Sequence, residues 1–185
     1  VYKRQGEFVR NASAVLAWGG TARENVTWLS RQTDRELTRA MALGQALNLA
    51  TVDYGNLPEV PRFNAGFTKV YSLVVDGFVI FDSRVGAALA ALIDAFVTEC
   101  GLSTVPTPLR VAIPQARAGL RRNPRFPIVS SERAFVSSNI RASWLIDEIA
   151  CLSGFAGLPA GARVSALEAA LFMIGYTLSG LEIPA

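Results

Sequence analysis

Apolar residues recur along most of this chain at spacings of three and four, the period of an α-helix that turns one face to a core. Phe8, Val15 and Trp18 mark a first helix over about Gln5 to Trp18, stopped by Gly19-Gly20. Thr33-Asp-Arg-Glu36 has the form of a capping box, and Leu37, Met41, Leu43 and Leu47 follow at helical spacing, in a helix that ends before Gly55. Asp82 or Ser83 opens a third helix, whose apolar face is Val85, Leu89, Leu92, Ile93 and Phe96 and which ends near Gly101. Ser130-Ser131 opens a fourth, with Phe135, Ile140, Trp144, Leu145 and Ile149, closed by Gly154. Ser165-Ala-Leu-Glu168 reads as a second capping box and starts a last, very apolar helix that runs to Gly180. The pattern predicts a mainly α protein: a single-domain helical bundle over residues 1–185, with at least five helices.

One segment reads two ways. Lys69–Val75, then Asp76-Gly77, then Phe78–Phe81 has the composition of a short β-hairpin at 69–81, with β-branched and aromatic runs around an Asp-Gly turn. With a period of 3.6, Val70, Leu73 and Val74 instead form a short buried helix stopped by Asp76-Gly77. Composition favours the hairpin, and either form places the segment in the core.

Composition narrows the chemistry. The chain contains no histidine, which excludes histidine-based nucleophilic catalysis and imidazole metal sites. Two cysteines, Cys100 and Cys151, are too few for a four-thiolate cluster and read as buried free thiols, with a single disulfide as the alternative. The expectation is therefore no metal, no cofactor and no need of an oxidising compartment. No apolar run reaches the roughly 18 residues that span a bilayer. Glu7 and the helical spacing of the first apolar residues favour an amphipathic helix over a signal peptide. A cytoplasmic protein without membrane contact is expected.

The net charge is +3, but it is unevenly placed. No acidic residue lies between Glu99 and Glu132, a stretch that carries Arg110, Arg117, Arg121, Arg122 and Arg125 among several prolines. A basic loop of this kind either lies along phosphates or is a solvated connector. Arginine outnumbers lysine by 16 to 2, so the mid-chain Lys69 draws notice. Lysine, unlike arginine, can lose its proton and form a Schiff base.

From Arg62 to Leu89 the chain runs RFNAGFTKVYSLVVDGFVIFDSRVGAAL: a glycine-bearing turn, Thr-Lys, an apolar segment, and an aspartate that opens a helix. This block of about 30 residues resembles the core of the helix-hairpin-helix DNA glycosylase superfamily. Phe67 stands where that family carries a second glycine, and the separation from Lys69 to Asp82 is shorter than the family's. The resemblance implies double-stranded DNA as partner and a nucleotide flipped out of the duplex. It implies Lys69 as the nucleophile that forms a Schiff base with the sugar, and Asp82 as the carboxylate that steadies the developing charge. Gly66, Thr68, Arg84, Arg117, Arg121, Arg122 and Arg125 would then contact the DNA backbone, and Phe63 or Trp144 would stack on the extruded base.

Each of these residues also has a purely structural explanation. Asp82 is a good N-cap, worth about 1 kcal/mol. A lysine at the edge of an apolar segment packs its stem on the core, and aromatics at helical spacing are usual in cores. The rival expectation is accordingly a non-catalytic helical module that binds another protein or oligomerises.

Overall fold

In the computed structural model, residues 2–53, 56–57, 59–115, 124–155 and 157–178 are described. They form seven α-helices: α1 (Tyr2–Trp18), α2 (Ala22–Arg31), α3 (Asp34–Ala46), α4 (Phe67–Tyr71), α5 (Ser83–Glu99), α6 (Glu132–Leu152) and α7 (Ala160–Thr177). The mainly α class expected from the periodicity is what the chain adopts.

Local chemistry sets most helix ends. Gly20, at φ +66°, reverses the chain after α1 while Thr21 N–H donates to the Leu16 carbonyl. Gly101, at φ +65°, does the same after α5, with Leu102 N–H returning to Val97. Thr33 and Glu36 form the expected reciprocal capping box on α3. The Asp82 side chain accepts from Arg84 N–H and Val85 N–H at the start of α5, and the Ser131 hydroxyl accepts from Ala134 N–H at the start of α6.

One connected cluster of buried apolar side chains draws on every helix, from Leu16 in α1 and Leu29 in α2 to Leu171 in α7. Helices α5 and α7 pack most extensively. They approach so closely that a side chain at Gly175 would run into the Arg84 backbone. Among the described residues no helix is long and apolar enough to cross a membrane.

Four expectations are corrected. The 69–81 segment is not a hairpin: α4 is followed by turns that leave Leu73 and Val74 exposed rather than in the core, Gly77 takes φ +72°, and 78–81 is irregular, with no strand partner among the described residues. The physical reason is burial on two sides. Phe67, Thr68, Val70 and Tyr71 all bury as a helical turn, whereas alternating strand faces would expose half of them. The irregular piece at 78–81 then finds side-chain partners instead of a strand. Val79 N–H donates to Ser143 Oγ at 3.2 Å and Ile80 N–H to Glu168 Oε2 at 3.0 Å.

Helix α7 begins at Ala160 behind Pro159, so Ser165 lies inside it and Ser165–Glu168 is not a capping box. Cys100 is exposed and Cys151 half-buried, both as free thiols. Of the expected α5 face, Val85, Leu89 and Ile93 are buried, but Leu92 and Phe96 face outward and Val97 is buried in their place. Helix α2 was not foreseen. Its sequence is polar overall, and only Asn25 and Leu29 are fully buried.

The Pro-rich connector is pinned at both ends of its basic stretch. Ile113 and Ile128 form an isolated parallel bridge, with Ile113 N–H donating to Pro127 and Val129 N–H to Ile113. Arg117, Arg121 and Arg122 lie between these ends, outside the described residues.

Candidate functional site

The turn that leads into α4 is held by amide side chains. Asn64 Oδ1 accepts from Gly66 N–H and Phe67 N–H, and Asn64 Nδ2 donates to Asn25 Oδ1 at 2.8 Å. Gly66 sits at φ −74°, ψ −49°, so it is not needed for a left-handed turn. It is needed for space, because a Cβ there would strike the Asn25 amide. This packing presents Lys69 from α4 toward the end of α1, where its methylenes cover Gly19.

Lys69 and Asp82 do come together. Lys69 Nζ lies 3.9 Å from Asp82 Oδ2, with the two side chains 11% and 15% exposed. The amine also donates to the Ala65 carbonyl at 3.0 Å, and Asp82 Oδ1 is taken up by the α5 cap. Of the two carboxylate oxygens, Oδ2 is thus the one toward the amine. The arrangement is a largely enclosed ion pair rather than the floor of an open cleft.

A third ionisable group joins them, and the sequence pattern gave it another role. Glu168 in α7 accepts from Ile80 N–H, and burial raises its carboxyl above the usual range. The Ile80 hydrogen bond opposes that rise, the negative charge of Asp82 adds to it, and the positive charge of Lys69 opposes it. Glu168 also lines a shallow hollow of ≈ 200 Å³ with Ser72, Asp76, Phe78, Val164 and Ser165. The available signal was its isolation, as the single acidic residue within the apolar sequence of α7.

The remaining candidates are placed less favourably for contact with nucleic acid. Phe63 is 1% exposed and stacks on Tyr71, with ring centroids 5.1 Å apart, while Phe78 meets it edge-on and Phe135 at a tilt. Thr68 is fully buried and donates to the Ala65 carbonyl. Trp144 is 37% exposed, and its Nε1–H donates to the Leu49 carbonyl. Arg84 lies over the rings of Phe172 and Tyr176, 4.6 and 4.7 Å from their centroids. Arg125 pairs with Asp94 at 2.6 Å. The turn before α4 follows an irregular segment rather than a helix, so among the described residues the hairpin has one helix and not two.

Among the described residues no group of three or more cysteine, aspartate or glutamate side chains is placed to hold a metal ion. Comparison with protein-family models, with curated proteins and with solved structures finds no match.

Proposed function

We propose that this chain is a DNA-binding protein of the base-excision glycosylase/lyase kind, working through the amine of Lys69. The observation that carries the reading is the 3.9 Å approach of Lys69 Nζ to Asp82 Oδ2, made between a short helix after a turn and the cap of the next helix. The two residues that the resemblance singles out are thus neighbours in the fold, which supports the reading. A cytoplasmic setting belongs to the same proposal and is supported by the two free thiols.

In the reaction, Lys69 first gives up a proton, for which Asp82 Oδ2 is the adjacent acceptor. The neutral amine attacks C1′ of an extruded nucleotide. The C1′–N bond breaks, and the base leaves with the bonding pair and takes up a proton. Opening of the sugar ring then yields a C1′=Nζ Schiff base, with the ring oxygen protonated. Asp82 stabilises the positive charge that builds on the sugar.

Borohydride trapping on duplex DNA carrying a panel of damaged bases tests this directly. A covalent adduct is expected with the native chain and none with Lys69→Gln. No adduct on any lesion, or an equal adduct in Lys69→Gln, removes the reading.

A second reading is favoured by the enclosure of the pair. Lys69 already donates to Ala65, its stem covers Gly19, and Phe63 and Thr68 belong to the core. On this view the chain is a non-catalytic helical module, and the ion pair ties α4 to α5. Met173 and Tyr176, about 60% exposed on α7, would be candidates for a contact surface. The two readings separate by salt: DNA affinity should fall steeply as ionic strength rises, whereas association through an apolar helix face should not.

A further inference from the structure

We propose that Glu168 is a positioning residue of the Lys69–Asp82 pair: it pins the segment that delivers Asp82 and stands as a second carboxylate toward the Lys69 amine. The consequence for catalysis rests on the glycosylase reading, but the geometric claim stands apart from it.

Residues 78–81 lead from the turn at Gly77 to the α5 cap. Among the described residues their backbone N–H groups have no strand to pair with, and a buried N–H left alone is costly. Ser143 from α6 meets Val79, and Glu168 from α7 meets Ile80. The bond to Ile80 lies two residues before Asp82, so α7 holds the backbone just upstream of the α5 cap. At that cap Oδ1 is consumed by Arg84 N–H and Val85 N–H, and the position of the cap decides where Oδ2 falls.

A carboxylate is more than this hydrogen bond requires. The amide oxygen of glutamine or a hydroxyl would accept from Ile80 equally well. A carboxylate at this place is mostly removed from water and stands near another of the same sign, Asp82. The Ile80 hydrogen bond opposes these costs most, and the ammonium of Lys69 adds to it, although the carboxyl stays above its usual range. A neutral acceptor would gain nothing from that ammonium, whereas an acid in α7 does.

The other charged groups nearby are differently engaged. Asp76, on the turn after α4, lines the same hollow as Glu168. Arg84, at the start of α5, is directed onto Phe172 and Tyr176. From α1 the neighbour of the Lys69 stem is the backbone at Gly19. The amine thus pairs with the acid at the α5 cap and lies within the electrostatic reach of a second acid in α7.

Only two lysines occur in the chain, so selective ¹³C labelling of lysine gives two ε-carbon signals, with Lys3 as internal control. In the alkaline range where lysine titrates, Glu168 is ionised. In Glu168→Gln the titration midpoint of Lys69 should drop by up to about one pH unit, the low end of what a nearby opposite charge produces. Lys3 should not move, and Ile80 N–H should stay protected from exchange, because glutamine still accepts from it. In Glu168→Leu the midpoint should drop as well, and Ile80 N–H should exchange roughly tenfold faster, as for a lost buried hydrogen bond.

An unchanged Lys69 midpoint in Glu168→Gln overturns the electrostatic half of the proposal, and unaltered Ile80 exchange in Glu168→Leu overturns the pinning half. If the leucine variant fails to fold, the glutamine titration alone decides the role. Failure to trap a borohydride adduct would remove the catalytic reading and leave this titration result standing.

Discussion

Asn64 Nδ2 donates to Asn25 Oδ1 at 2.8 Å, and this contact joins α2 to the turn from which Lys69 is presented. The same Asn25 oxygen receives the Arg62 guanidinium at 3.4 Å, and its amide donates to the Thr21 carbonyl. A single buried side chain therefore gathers α2 and the approach to α4. Replacing it with Asn25→Leu leaves the Asn64 donor and the Thr21 carbonyl without this partner. Equilibrium urea unfolding should show a loss of about 2–3 kcal/mol. Asn25→Asp, which keeps the acceptor beside Arg62, should cost less. Equal losses in the two variants would show that the acceptor role is unimportant.

Two glycines of α7 should respond in opposite directions. A methyl at Gly175 meets the Arg84 backbone, which cannot swing away as a flexible side chain could. Gly175→Ala must separate α5 from α7 and should cost about 1–3 kcal/mol. Gly161 has open space around it, so Gly161→Ala should stabilise by about 0.4–1 kcal/mol through reduced freedom of the unfolded chain. Thermal unfolding of the pair checks the contrast, and the same sign for both would contradict the close helix approach.

Glu132 and Glu36 should give stability opposite dependences on pH. Burial raises the Glu132 carboxyl, against the hydrogen bond from Phe63 N–H and the charge of Arg62. The folded state therefore holds this proton more tightly than the unfolded chain does. The associated stability is present below the ordinary carboxylate range and is lost as pH rises through the elevated value. The bond from Thr33 N–H, its largest cause, lowers the Glu36 carboxyl, so its contribution is present at neutral pH and disappears in acid. From pH 4 to pH 7, Glu132→Gln should gain stability relative to the native chain and Glu36→Gln should lose it. Urea unfolding at both pH values reads the two differences directly, and parallel curves would refute the assignment.

Asp82 can be separated into a cap and a charge. Asparagine caps a helix as well as aspartate does, while alanine does not. Asp82→Ala should therefore cost about 1 kcal/mol of stability, and Asp82→Asn much less. If the glycosylase reading holds, both variants should lose the borohydride adduct, because both lack the carboxylate beside Lys69. An adduct that persists at the native level in a folded Asp82→Asn would mean that the charge has no part in the chemistry.

How legible these features were depended on distance along the chain. Asp82 was visible both as a cap and as the acid of the block, because each signal lies within a few residues of it. Lys69 stood out by rarity, and its approach to Asp82 followed once α4 and the α5 cap were joined by one short segment. Glu168 reads from sequence as part of a capping box, since Ser165 three residues earlier satisfies that local pattern. Phe63 was equally opaque, because an aromatic that stacks on DNA and one that stacks on Tyr71 look alike in sequence.

Alone, the order of residues determined the helical class, the stops at Gly20 and Gly101, and the caps at Thr33, Asp82 and Ser131. Each of these depends on contacts within about one helical turn, where the chain has few alternatives. Tertiary packing decided that 69–81 becomes a helical turn and an irregular segment. The amides of that segment are satisfied from α6 and α7, and the partner of Ile80 lies 88 residues away. No periodicity over neighbouring positions encodes such a pairing, which comes into being only when α7 lies against α5 and carries Glu168 to the segment.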